Sequence, residues 1–233
     1  MKKEINKSQK IGEIATIFPK SINVFMEYEI DFCCGGDRKL EEAILKKDID
    51  EEELLDRLNI EYENMKKDLD KETDWKNKSM SKLIDYIINK HHSFMKKEMP
   101  ITEEFLSKIL KVHYEAHGEE LSKLHKLFNQ LKVEIEEHLI KEEELLFPLI
   151  KEYENNPSEE RLQKALKVLE ETESEHDIAG DILKEMRSLT NGYELPKDGC
   201  NTYQITYQKI ESIEKDLFQH IHLENNILFD KLK

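Results

Sequence analysis

His138 and Glu142 stand four residues apart in the stretch HLIKEEELLFP, and His220 and Glu224 repeat that spacing in HIHLENNILFD. Leu146-Phe147 recurs as Leu228-Phe229 at the same offset, so the two stretches read as an internal repeat. Residues one helical turn apart project from the same face, so each His-x-x-x-Glu pair can present a nitrogen and a carboxylate oxygen to one centre. That is metal-binding chemistry, provided the pairs face inward.

Spacing tests the direction. Leu124, Phe128, Leu131, Ile135, His138, Glu142, Leu145 and Leu149 recur at alternating steps of four and three, the seam of a bundle helix. Ile210, Ile213, Leu217, His220, Glu224 and Ile227 form a second seam, and Leu162, Ala165, Leu169, Thr172, His176, Ala179, Leu183 and Met186 a third. A fourth helix offers two stripes of nearly equal quality: Ile88, His92, Met95 and Met99, or Ile84, Ile87, His91 and Phe94. Spacing does not choose between His91 and His92.

An ionised carboxylate buried without a partner costs several kcal/mol, and two such residues would strain a domain of ordinary stability. No Lys lies on these stripes, which leaves a metal as the counter-charge. Four imidazoles and two carboxylates suit a pair of transition-metal ions. With Glu142 and Glu224 both bridging and a solvent-derived oxo or hydroxo bridge, each ion has five ligands and one open position. Two iron ions per chain match the facing His and Glu residues of di-iron bundles. Zinc prefers four ligands, fewer than this set offers.

Four long helices must carry these residues. The spacing predicts the first from Ser79 to Met99, stopping at Pro100, with a shorter piece after Thr102. A second follows Gly118 to about Tyr153, a third covers 159–190 behind a Ser158 cap, and the last runs from Thr202 to the end. The expected fold is all-α, an up-and-down four-helix bundle over 79–233. A small helical domain over 1–66 precedes it, joined by a polar linker at 67–78 with Trp75 packing back. Its short helices are IGEIATIF, KSINVFMEYEI, KLEEAILKK and EEELLDRLNIEYENMK, with Asp48 and Asp50 as N-cap candidates for the last of them.

The net charge of -15 and the lack of a basic cluster argue against nucleic-acid binding. No apolar run approaches the roughly 20 residues of a bilayer span, and the first residues lack a signal-type apolar region. A cytoplasmic protein is expected, with its three cysteines reduced. Cys33 and Cys34 adjoin Gly35 and Gly36, which permit a tight turn. Adjacent cysteines rarely join to each other, so they read as buried small side chains or as thiols for redox or metal chemistry. His113 and His117 are also spaced to share a metal, but no inward carboxylate accompanies them, which favours a solvated or hydrogen-bonded loop pair. His125, His222, Glu136, Glu137, Glu143 and Glu144 fall off the stripes and are expected on a solvated face.

DFCCGGDRKLEEA resembles the N-terminal domain of the iron-sulfur cluster repair di-iron proteins, the RIC or ScdA family. HLIKEEELLFPLI, ESEHDIAG and HIHLENNILFDKL resemble that family's hemerythrin-like domain, and the likeness covers nearly the whole chain. It implies di-iron ligands at His92, His138, Glu142, His176, His220 and Glu224, and matches the family's Cys-Cys pair to Cys33 and Cys34. Lys96 stands where relatives often carry a further histidine, and Asp230 replaces the proline of a second LFP. The implied function is repair of clusters damaged by nitric oxide or oxidants. Its partners would be the damaged iron-sulfur proteins, with a homodimer left open. Our mechanistic expectation is iron donation through Cys33 and Cys34. An oxygen- or nitric-oxide-binding protein and a nitric-oxide-reducing redox enzyme are the alternatives, so whether the chain is an enzyme stays open.

Overall fold

The computed structural model describes residues 5–67 and 75–233. Among the described residues ten α-helices dominate: α1 (Ile11–Ile17), α2 (Ser21–Glu27), α3 (Leu40–Lys47), α4 (Glu51–Lys67), α5 (Met80–Ile87), α6 (Ser93–Val112), α7 (Tyr114–Lys141), α8 (Phe147–Asn155), α9 (Glu159–Leu189) and α10 (Asn201–Leu223). The only extended pairing among the described residues is an antiparallel bridge between Lys10 and Lys39. The chain divides into two compact units, one of the described residues up to Ser79 with Ile221–Lys233, the other Met80–His220. Most of the linker expected at 67–78 falls on residues 68–74, outside the described residues.

The Met80–His220 unit is the up-and-down bundle. α6 packs on α7, α7 on α9, and α5 and α9 on α8. Ion pairs tie in α10 through Lys209 to Glu98 of α6 at 2.8 Å and Arg187 of α9 to Glu214. Glu154 of α8 accepts from the Met80 and Ser81 amides at 2.6 and 3.0 Å, a carboxylate at the positive end of α5. Ser158 caps α9 as expected, accepting from the Arg161 amide. Helix formation does not stop at Pro100, which lies inside α6. Pro100 is exposed while Met99, Thr102 and Leu106 are buried, so the carbonyl it deprives of a partner can turn to water as packing holds the helix. The chain instead breaks at His113, and α7 starts at Tyr114, ahead of Gly118.

Among the described residues three π-turns interrupt the helices: Ile88–His92, Glu142–Leu146 and Glu224–Leu228. In each, an amide reaches five residues back, from Ser93 to Ile88, Phe147 to Glu142 and Phe229 to Glu224. The extra residue shifts the inward stripe by one position. Leu145, expected inside, is exposed, and Leu149 is half-buried, while Leu146 and Ile150 are fully buried. The same shift explains the two competing stripes of the first helix. Ile84 and Ile87 face inward before the π-turn, Met95 and Met99 after it, and His91 and His92 are both buried within it.

In the other unit, Ile11, Ile14, Phe18, Phe25, Leu40, Leu54, Leu58 and Phe229 form the core. Asp50 caps α4 by accepting from the Glu53 amide at 3.0 Å, whereas Asp48 ends α3 in the left-handed region. Gly35 and Gly36 keep negative φ, so their glycine identity has a different cause. A Cβ on Gly36 or on Gly12 would collide with the carboxamide oxygen of Asn226. Asn226 Nδ2 donates to the Cys33 and Phe32 carbonyls at 3.1 and 3.3 Å, clamping the cysteine turn to the end of the chain. His222, expected to be exposed, is buried with its ring 5.9 Å from Phe32, and burial pushes its pKa down to about 4.

Candidate metal centre

The four inward histidines stand in two pairs. His92 Nε2 lies 3.2 Å from His220 Nε2, and His138 Nε2 lies 3.2 Å from His176 Nε2. Glu142 sits among them, its Oε2 at 3.3 Å from His92 Nε2, 3.5 Å from His138 Nε2 and 3.7 Å from His220 Nε2. One turn beyond His220 on the same helix, Glu224 joins both sets. The ligand-type atoms of His92, Glu142, His220 and Glu224 lie within 4.8 Å of one another, as do those of His138, Glu142, His176 and Glu224. His91 enters neither group. Its Nδ1 lies 3.1 Å from Asp216, and its ring stacks on His220.

Two half-buried carboxylates expected on the solvated face or overlooked hold the rings in place. His92 Nδ1 donates to Glu143 at 2.7 Å, and His138 Nδ1 donates to Glu175 at 3.0 Å. An ionised carboxylate only accepts, so the proton sits on Nδ1 and Nε2 turns a lone pair inward. Lys96 grips both oxygens of Glu143 at 2.8 Å, and Lys141 pairs with Glu175. Each ring is thus the end of a Lys-Glu-His chain. The neighbouring His138 proton and Lys141 hold Glu175 below the usual carboxylate range against its partial burial. Burial raises Glu143, and its bonds to Lys96 and His92 more than offset it. Sequence spacing could have marked Glu175, immediately before His176, only if the facing helix were already known.

The donor set fits a metal. Lone pairs of His92 and His138 converge on a carboxylate, and neither Glu142 oxygen receives a hydrogen bond of ordinary geometry among the described residues. Such an electron-rich, dehydrated centre is costly alone and complementary to cations. Burial raises the Glu142 pKa, whereas protonated imidazoles around it, His138 foremost, would lower it well below the usual carboxylate range; with their lone pairs turned inward, that role is left to a cation.

Cys33 and Cys34 are free thiols, with their sulfurs 4.0 Å apart. Asp31 Oδ1 lies 3.4 Å from Cys33 Sγ and accepts from the Gly35 amide at 3.0 Å. Asp31, Cys33 and Cys34 form a third group of ligand-type atoms within 4.8 Å. Cys33 donates toward Cys34 and is buried, and both effects push its thiol well above the ordinary range. His113 and His117 do not join the histidine pairs; their side-chain hydrogen-bond partners are Cys200 and Asp198.

Residues 83–232 match the hemerythrin HHE cation binding domain, and residues 7–62 match the ScdA N-terminal domain of unknown function, DUF542. The iron-sulfur cluster repair protein ScdA of Staphylococcus epidermidis is 32% identical over 229 residues, covering 98% of this chain and 99% of the relative. The chain belongs to the ScdA/YtfE family of iron-sulfur cluster repair proteins. The ScdA/YtfE relatives include the repair protein YtfE of Pectobacterium atrosepticum, 32% identical across 97% of this chain and 96% of its own length. A probable repair protein of Haemophilus influenzae is 33% identical across 96% of both. No helix among the described residues is long and apolar enough to cross a membrane.

Proposed function

We propose that this chain holds two iron ions in its bundle and donates iron to damaged iron-sulfur clusters in the cytoplasm. His92 and His220 would hold one ion and His138 and His176 the other, with Glu142 and Glu224 shared between them. The observation that carries the reading is the pairing itself: two histidine couples, each with Nε2 atoms 3.2 Å apart, converge on the same two carboxylates. Membership of the repair family supplies the recipient class, iron-sulfur clusters in need of repair.

Cys33 and Cys34 would act as transient ligands, with Asp31 as a third donor. Thiolates bind iron well, and coordination releases the thiol proton that Cys33 otherwise retains. The raised Cys33 pKa keeps that thiol unreactive until a cation arrives.

The test loads the full chain with iron and follows transfer to an apo iron-sulfur protein by absorbance. About two irons per chain should be found, consistent with a two-ion bundle site, and they should fall as clusters form. The Cys33→Ser/Cys34→Ser variant should bind iron normally but transfer it slowly. Equal transfer rates would exclude the thiol route, and a chain that takes up no iron would sink the donation reading.

A further inference from the structure

A second set of donors lies where α7 begins. His113 Nε2 is 3.2 Å from Cys200 Sγ, and His117 Nε2 is 2.9 Å from Asp198 Oδ1. The two imidazoles are 6.3 Å apart between centroids and both pack edgewise on Tyr203, at 5.2 and 6.0 Å. Local backbone geometry places the two pairs side by side. The helix is kinked at His117, where φ is -131° and ψ 18°, and His117 N donates to His113 O at 2.8 Å. On the facing loop, Gly199 N donates to Pro196 O at 2.9 Å, and a Cβ at Gly199 would stand 2.9 Å from that same backbone oxygen. The glycine therefore permits the tight turn that sets Asp198 and Cys200 on either side of it.

We infer that His113, His117, Asp198 and Cys200 form a site for a single divalent cation of zinc type, separate from the histidine-glutamate centre. Two imidazole nitrogens, one thiolate and one carboxylate are a four-donor set suited to tetrahedral coordination. Thiolate and carboxylate together carry two negative charges, which balance the cation. In a tetrahedral zinc site neighbouring donor atoms stand roughly 3.5 Å apart, so each hydrogen-bonded pair opens only slightly. No three of the four donor atoms lie within 4.8 Å of one another as they stand, so side-chain rotation must bring the two pairs onto one centre. Binding releases the Cys200 thiol proton to water, and His113 beside it already lowers that thiol to about 7, so the proton is lost readily at neutral pH. The ion would tie the loop between α9 and α10 to the start of α7.

Cobalt(II) serves as the probe, because thiolate-to-cobalt charge transfer is visible and the histidine-glutamate centre contains no sulfur. The full-length chain is loaded with iron in a Cys33→Ser/Cys34→Ser background, leaving Cys200 as its one thiol. Titration should give one cobalt per chain with a charge-transfer band and tetrahedral ligand-field bands, and zinc should displace it. Cys200→Ser should abolish the charge-transfer band. His117→Ala and Asp198→Asn should each weaken cobalt binding on the order of tenfold or more. Far-UV circular dichroism and iron content should stay unchanged. Absence of the band in the parent would overturn the inference, as would cobalt binding insensitive to His117→Ala and Asp198→Asn, which would identify a thiol binding alone.

Discussion

Glu175 accepts the Nδ1 proton of His138 at 3.0 Å, and the same carboxylate is held by Lys141. Glu143 plays the matching part for His92, with Lys96 as its cation. The two carboxylates orient the rings without reaching the centre. Glu175→Ala or Glu143→Ala should weaken iron binding by about 10- to 100-fold, the usual effect of losing such support. Chelator competition would measure it, and helical content should be unchanged. Unaltered affinity would mean that packing alone orients the rings.

Asn226 and the two glycines around it should behave as one unit. Gly36→Ala or Gly12→Ala drives a methyl onto the Asn226 carboxamide, which should cost about 1–3 kcal/mol of stability. Asn226→Ala removes the donor to the Phe32 and Cys33 carbonyls and should cost a similar 1–3 kcal/mol. Combining Asn226→Ala with Gly12→Ala should cost less than the two separate losses together. Urea unfolding of the four-protein cycle reads the coupling, and strict additivity would count against the clamp.

Pro100 occupies an exposed position in a continuous helix. Pro100→Ala restores an amide donor for the carbonyl of Lys96 and improves helix propensity. Stability should rise by about 1–3 kcal/mol. Thermal unfolding would detect this as a higher midpoint, whereas a lower midpoint would show that the proline ring itself packs.

Cys200 and Cys33 should differ sharply toward an alkylating reagent. The His113 bond lowers the Cys200 thiol to about 7, so its alkylation rate should climb through half its maximum near pH 7. A thiolate is the nucleophile, so the rate falls as pH drops below that value. Buried Cys33, raised well above the ordinary range, should react slowly throughout. His113→Ala should move the Cys200 profile toward the ordinary thiol value of about 8.5. Mass spectrometry of the alkylated peptides separates the cysteines.

Much of the bundle was legible because helix periodicity and burial impose the same constraint on every turn. His138, Glu142, His176 and His220 all lie on apolar stripes and are all buried. The stripe failed where a π-turn intervened. Leu145 gave way to Leu146 because one extra residue rotates everything after Glu142, and no composition rule marks that residue. His91 and His92 were inseparable by spacing for the same reason.

The sequence by itself determined that His138, His176, His220, Glu142 and Glu224 face inward, the all-α class and the glycine turn beside the cysteines. These follow from local periodicity and from residue chemistry, which a chain carries wherever it folds. Only the tertiary structure decided which carboxylates support the rings, that Asn226 clamps the cysteine turn, and that Asp198 and Cys200 meet His117 and His113. Those are contacts between residues far apart in the chain, set by how helices pack side by side, and no spacing within a single helix encodes them.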